Sequence, residues 1–341
     1  MWQRVYKMRR CQASPVTGSD GQITMAEADV SKSDIQAFWG ALYDSLYEDV
    51  DRTLARESLI EAIGALEDMF RFRRHLAVVE MPLQELHDCD VLEIGSGAGG
   101  HSALFAKHGA RVTAVDLTTA RVRSTAAKFR LLGDLASGCN AVQADAEKLP
   151  FAAESFDIVY SNGVLHHTAD TERAFAEVYR VLRPGGKAVI MLYCKSSWHY
   201  WINLWLCVGL LRGRMFATPH WVGEATEWGG KNAQTITNPI TRCYTRAGIG
   251  RLFASFEGLT LRKGDFFFYL VPKLGRLWRW YQRRRYGSHP GGMIVYGAPW
   301  PIQSPLELNL GRFMGFSWWI SARKPAAVAP AKERPRGWTS T

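Results

Sequence analysis

An α/β protein built on a parallel sheet is what the sequence predicts, and three observations lead there. The ten residues Val91 to Gly100, Val-Leu-Glu-Ile-Gly-Ser-Gly-Ala-Gly-Gly, join a short apolar strand, a glycine turn and the start of a helix. From Asp88 to Tyr193 strand-like and helix-like stretches alternate, as in parallel strands joined by right-handed crossovers. A chain of 341 residues with 47% hydrophobic content is also long enough for a sizeable core, in two domains or in one with large additions.

Taken in order, residues 1–30 mix small and polar side chains without a period and read as a flexible leader. From Ser31 the pattern turns helical: Ile35, Phe38, Trp39, Leu42, Tyr43, Leu46 and Tyr47 recur at spacings of three and four, with Ser31 or Ser33 as a cap. A second helix is expected over Ser58 to Phe70, followed by the basic Arg71, Arg73 and Arg74. Residues 31–87 thus form an N-terminal helical unit, read either as a packed face or as a lid laying Trp39 or Tyr43 over a ligand. The main domain, 88–323, starts with a strand at Asp90 to Ile94, and a helix begins over His101 to Lys107. Strands follow at Arg111 to Asp116, Asn140 to Ala144, Ser155 to Ser161 and Lys187 to Tyr193, with helices at Ala120 to Leu132 and Arg173 to Leu182 between them. The rhythm breaks over 194–244. It resumes with Thr245 capping a helix at Ala247 to Ser255 and a sixth strand at Leu259 to Phe267. A second irregular stretch covers 268–311, Gly315 to Arg323 closes with a strand, and 324–341 reads as a disordered tail.

The formal charge of +10 admits phosphates, nucleic acid or anionic lipid surfaces as partners without selecting one. Six scattered cysteines with no C-x-x-C pair, and no secretory signal, lead to the expectation of reduced thiols in the cytoplasm and no structural zinc. The charge-free stretch Ser196 to Leu211 falls short of the roughly 20 residues that span a bilayer, so no transmembrane helix is expected. A segment of that kind can still lie on a membrane surface, so localisation is read as cytoplasmic with peripheral membrane contact left open.

The chemistry starts at the glycine turn. Gly95, Gly97 and Gly99 let the backbone approach a ligand closely, and the amides at the start of the following helix face the same point. Gly95, Gly97 and Gly100 also satisfy the dinucleotide pattern, so this stretch alone leaves the cofactor undecided. Asp116 ends the second strand where a carboxylate can accept both hydroxyls of a ribose. Asp145, Ala146 and Glu147 follow the third strand, where a carboxylate can meet an adenine amino group; structural capping by Asp145 is the competing reading.

These stretches, together with Asp157-Ile158-Val159-Tyr160-Ser161-Asn162-Gly163-Val164-Leu165-His166-His167 and Leu182-Arg183-Pro184-Gly185-Gly186-Lys187, resemble the class I S-adenosylmethionine-dependent methyltransferases, above all the ubiquinone and menaquinone branch. The resemblance covers about 90–195 clearly and 245–323 more loosely. It implies a Rossmann-like sheet of seven strands, six parallel and the seventh antiparallel, with S-adenosylmethionine as cofactor. By resemblance the loop Glu93, Gly95, Ser96, Gly97 and Gly99 holds the methionine portion, Asp116 the ribose, and Asp145 with Ala146 the adenine, while Asn162 and Leu165 lie beneath the sulfonium.

Because a sulfonium carbon is already electrophilic, such a protein needs mainly to align an acceptor and exclude water. Proton-handling candidates are His166, His167, Tyr193 and Glu227, the two histidines serving equally well as structural elements. No ligand cluster at supporting spacing suggests a metal.

Ligands of such folds bind at the carboxyl ends of the parallel strands, from which both irregular stretches depart. Ten of the thirteen tryptophans lie between Trp198 and Trp319. Trp39, Tyr43, Trp198, Trp201 and Arg242 are therefore expected around a bulky apolar acceptor, unless the aromatics of the insertion pack a small core of their own. Leu270 to Arg285 projects as a basic amphipathic helix, facing solvent, an anionic membrane or an acidic group.

The expected function is methyl transfer to a small apolar or amphipathic molecule, such as a quinone, isoprenoid, lipid-like compound or natural product. The alternatives are S-methylation of a small thiol or sulfide, an RNA methyltransferase, and a cofactor-binding assembly factor without catalysis. Nucleic acid is disfavoured, because Asn162 is followed by Gly163 and not by the Pro-Pro-aromatic turn of base methylation. The sequence leaves the oligomeric state open.

Overall fold

The computed structural model describes residues 30–52, 54–226, 238–268 and 275–326. The expected leader, Glu227 and most of the expected tail lie outside them. The seven main strands are β1 (Asp90–Ile94), β2 (Arg111–Asp116), β3 (Asn140–Gln143), β4 (Phe156–Asn162), β5 (Leu182–Cys194), β6 (Glu257–Gly264) and β7 (Ser317–Arg323). They lie in the order β3-β2-β1-β4-β5-β7-β6. The pairs among β1 to β5 are parallel, and β7 runs antiparallel between β5 and β6.

Alternation along the strands sends side chains to two separate cores. Val91, Val112, Ala114, Tyr160, Val189 and Trp319 pack on one face of the sheet with the helices α2 (Arg56–Arg73), α3 (Gly100–Lys107) and α4 (Thr119–Leu132). Their neighbours Leu92, Ile94, Val115, Val159, Ile190, Trp318 and Ile320 pack on the other with α5 (Thr171–Val181) and α6 (Arg246–Leu252). With both faces covered, the strands read as near-continuous apolar runs.

Two boundaries differ from expectation for visible reasons. β5 starts at Leu182, because the Leu-Arg-Pro-Gly-Gly turn is itself the first part of the strand, paired to β4 through a register shift. Arg183 there bonds Asp90 at 2.8 Å and Asp157 at 2.6 Å, tying together the amino ends of β1 and β4 at the edge opposite the cleft. β6 stops at Gly264, because Asp265 takes a left-handed conformation (φ 61°) that turns the chain out of the sheet. Order also runs past Arg323: the Lys324 amide donates to Gly186 O and its carbonyl accepts from Gly185 N, both at 2.9 Å.

Ahead of the sheet, α1 (Lys32–Leu46) is capped by Ser31 and lies across the carboxyl ends of the strands. The first insertion forms a π-helical stretch, His199–Leu210, and a short helix, Trp221–Thr226. The second forms α7 (Gly275–Arg285), a small hairpin pairing Ser288–His289 with Trp300–Pro301, and the turn Met293–Tyr296. It ends in α8 (Pro305–Met314), which Ser304 and Glu307 close with a capping box.

Candidate active site

A cleft of about 620 Å³ opens at the carboxyl ends of β1, β2, β4 and β5. Its floor is the glycine turn. Gly95, Gly97 and Gly99 all have positive φ (79°, 55° and 81°), which a side chain would strain. They serve different ends. A Cβ on Gly95 would collide with Val164, and one on Gly99 would lie 2.8 Å from Thr125, so both are required by packing. A Cβ on Gly97 would meet nothing nearer than Arg121 at 4.0 Å and would stand in the cleft itself. The bare backbone at 97 therefore leaves the room that a closely held ligand needs.

Around this floor the acids are positioned in depth. Asp116 ends β2, accepts from Thr118 N at 2.9 Å and Thr118 Oγ1 at 3.0 Å, and accepts from Gly97 N at 3.1 Å, which fixes its carboxylate at the mouth of the turn. Asp145 accepts from Glu147 N at 2.9 Å and pairs with Lys32, whose Nζ also lies 2.8 Å from Glu147. Glu93 is buried beside the turn and accepts from Ser102 Oγ. Burial, assisted by the charge of Asp116, pushes its carboxyl up to about 8. Two fixed carboxylates, a third that is protonated near neutrality and a turn of free backbone suit a cationic adenosyl ligand. Glu93, Gly95, Ser96, Gly97, Asp116, Asp145, Ala146 and Asn162 all line the cleft.

The opposite wall is aromatic. Trp39 of α1 closes over the cleft, edge-on to His167 with ring centroids 5.0 Å apart and with the Arg121 guanidinium over its ring at 5.1 Å. Tyr193, Phe316, Phe267, Tyr296 and Trp300 continue the wall. One ion pair sits among them: Arg73, only 4% exposed, bonds Asp265 and lies 4.2 Å over Trp300. Asp265 is held in turn by Ser317 Oγ at 2.6 Å. His101, His167 and His199 also reach the cleft, and burial lowers them to about 3, 4 and 4, so all three are neutral at physiological pH.

Several residues singled out from the sequence lie elsewhere. Gly99 caps α3 behind the turn, and Leu165 is fully buried in the core beneath it. His166 is sealed away from the cleft, with neither ring nitrogen bonded and its pKa driven well down by burial; it packs 4.0 Å from the Tyr193 ring. His167 does line the cleft. Its Nδ1 is taken up by the Ile240 carbonyl at 2.9 Å, the Thr241 hydroxyl at 3.1 Å and the Asn238 amide nitrogen at 3.2 Å, and its Nε2 is buried without a hydrogen-bond partner. That Nε2 is itself occluded, which removes both histidines as bases in this conformation. Tyr43 donates to Asp51 at 2.6 Å, pinning α1 from behind. Trp201 points outward, 47% exposed, and Trp198 is half-buried; neither contributes to the cleft wall. Arg242 donates to the carbonyls of Thr168 and Ala169 at 2.6 and 2.9 Å, clamping the loop after β4 instead of anchoring an anion.

Sequence reasoning missed Lys32, Arg73, His101, Asp265 and Trp300. For Arg73 a signal existed: Leu59, Ile63, Leu66 and Phe70 form the apolar stripe of α2 and Arg73, three residues on, continues it, whereas Arg71 does not; Arg74, four residues on, shares the spacing but is the left-handed cap just past the helix.

Residues 92–190 match a family model described as a methyltransferase domain. The chain is 34% identical over 108 residues to the ubiquinone/menaquinone biosynthesis C-methyltransferase UbiE of Haemophilus ducreyi, covering 31% of this chain and 41% of that protein. It is 32% identical over 165 residues to the demethylmenaquinone methyltransferase of Thermobifida fusca (48% and 63%), and 33% identical over 106 residues to the sterol 4-C-methyltransferase strm-1 of Caenorhabditis elegans (31% and 31%). The chain thus spans less than two thirds of the length of each of these relatives. The segment 92–190, which supplies most of the parallel sheet, is thus similar to a methyltransferase domain. Over the aligned segments the chain is similar to proteins named for ubiquinone and menaquinone biosynthesis.

Proposed function

We propose that the protein transfers a methyl group from S-adenosylmethionine to a small, largely apolar acceptor that enters the aromatic half of the cleft. The observation that carries this reading is the division of one cleft into a glycine-and-acid half and an aromatic half meeting at Asn162, Tyr193 and Trp39. The cofactor supplies an electrophilic methyl carbon. Asp116 and Asp145 hold and orient its adenosyl portion, and Glu93 in its ionised form answers the positive charge of its methionine portion. Trp39, Phe316 and Trp300 exclude water and press an apolar acceptor toward the turn. Buried Arg73, paired with Asp265, gives that half a fixed guanidinium donor to orient a polar oxygen of the acceptor.

The similar proteins are named for quinone and sterol acceptors, which accords with such a wall. The test is transfer of label from methyl-tritiated S-adenosylmethionine into fractionated lipid, aqueous small-molecule and RNA extracts, alongside calorimetry of cofactor binding. Label in an apolar small molecule supports the reading. Label confined to RNA overturns the acceptor class, and cofactor binding without transfer to any fraction overturns the activity.

A further inference from the structure

The second insertion carries a surface that the cleft does not use. In α7, Trp278 and Gln282 turn inward: the Trp278 indole donates to Glu307 at 3.0 Å, and the Gln282 amide donates to Glu307 at 3.1 Å and to the Ile302 carbonyl at 2.8 Å. These bonds fix the rotation of the helix. They leave Leu277, Trp280 and Tyr281, one stripe at i, i+3 and i+4, 65%, 57% and 43% exposed. Arg279, Arg283, Arg284 and Arg285 are exposed alongside, Arg284 lying 5.3 Å over the Trp280 ring, and α7 contains no acidic residue.

An apolar stripe edged by arginines matches the boundary between lipid headgroups and acyl chains. There aromatic rings sit at headgroup level, aliphatic side chains go deeper, and guanidinium groups meet phosphates. Nucleic acid would satisfy the arginines, but it offers nothing to Leu277, the most exposed member of the stripe. We propose that α7 docks the protein on an anionic lipid bilayer, with Leu277, Trp280 and Tyr281 entering the boundary and the arginines on lipid phosphates. The helix rests on Ile302, next to the hairpin strand whose Trp300 walls the cleft, so docking brings that wall to the bilayer. The docking goes beyond the methyltransferase reading, and vesicle binding is read without cofactor or acceptor, so the two can fail separately.

The experiment is sedimentation of the full chain with vesicles of phosphatidylcholine alone and of phosphatidylcholine mixed with phosphatidylglycerol, at low and high salt. Binding is expected to the mixed vesicles only and to weaken with salt. Arg283→Gln, Arg284→Gln and Arg285→Gln together should reduce it about a hundredfold. Leu277→Asp with Trp280→Asp should reduce it by roughly tenfold or more. Both variants alter exposed side chains only, so unchanged melting and unchanged S-adenosylhomocysteine affinity serve as controls; if the apolar variant misfolds, the arginine variant still decides. Absence of vesicle binding, equal binding to neutral vesicles, binding undiminished in the arginine variant, or displacement from vesicles by homopolymeric RNA would overturn the proposal.

Discussion

Burial inside the cleft holds the Glu93 carboxyl at about 8, against 4.5 for the same group in an unfolded chain. Between those values the folded protein keeps a proton that the unfolded chain has lost, so this residue costs stability as pH rises from about 4.5 to about 8. A cationic ligand reverses the preference, because it favours the carboxylate. Cofactor binding near neutrality should therefore release a proton, and affinity should rise with pH and level off above about 8. Calorimetry in two buffers of different ionisation enthalpy checks this. Glu93→Gln should abolish the proton release, weaken the cofactor and raise the melting temperature at alkaline pH relative to the parent. Proton release of equal size in both proteins would place the titrating group elsewhere. His167 and His199, lowered to about 4, cannot be that group. Asp116→Ala should weaken the cofactor about tenfold to a hundredfold, the value of charge-assisted hydrogen bonds to a ribose, and unchanged affinity would remove Asp116 from the ribose. At this scale the motif acids were legible because strand ends fix their positions. Arg242 was not, because nothing in a sequence shows that a guanidinium will be consumed by the Thr168 and Ala169 carbonyls.

α1 is the element that joins the two halves of the cleft. Lys32 at its start reaches Asp145 and Glu147, the Gln36 amide donates to the Leu117 carbonyl at 3.1 Å, Trp39 covers the middle, and Tyr47 just beyond its end donates to the Val295 carbonyl of the second insertion. A helix fastened at both ends of a cleft is expected to gate the passage of a ligand of cofactor size. Lys32→Ala combined with Tyr47→Phe should therefore speed cofactor dissociation in stopped flow. The Lys32 pairs are partly exposed and contribute at most about 1 kcal/mol to stability, so removing them should affect the off-rate more than the fold. A dissociation rate equal to that of the parent would mean that the helix is a fixed wall. The apolar period of α1 and the Ser31 cap were readable from the sequence, and so were β2 and the antiparallel last strand. The insertions were not: their aromatics have no period to follow, and the exposed Trp201 and the cleft-lining Trp300 look alike until the chain is folded.

At the scale of the whole molecule, the cleft is assembled from pieces far apart in the chain: α1, the turn after β1, the ends of β2, β4 and β5, the bend at Asp265, the segment from Val295 to Trp300, and Phe316 with Ser317. Only the central pieces follow from the parallel-sheet rhythm, which is why the glycine-and-acid half was legible and the aromatic half was largely hidden. Gly291, in the second insertion, shows how tightly the outer pieces are joined, since a Cβ there would collide with the backbone at Ala65 in α2. Gly100, at the start of α3, is similarly closed, with the Ile294 carbonyl 2.8 Å from where its Cβ would lie. A ligand in the cleft touches walls from all these regions, so its binding energy is shared among them. Saturating S-adenosylhomocysteine, at a hundred times its dissociation constant, should stabilise the fold by about 2.7 kcal/mol. Hydrogen exchange should then slow at the glycine turn and, together with it, across α1 and residues 293–300. Protection confined to the turn and to the ends of β2 and β3 would mean that the glycine-and-acid half binds its ligand alone, leaving the lid and the second insertion to respond only when the acceptor arrives.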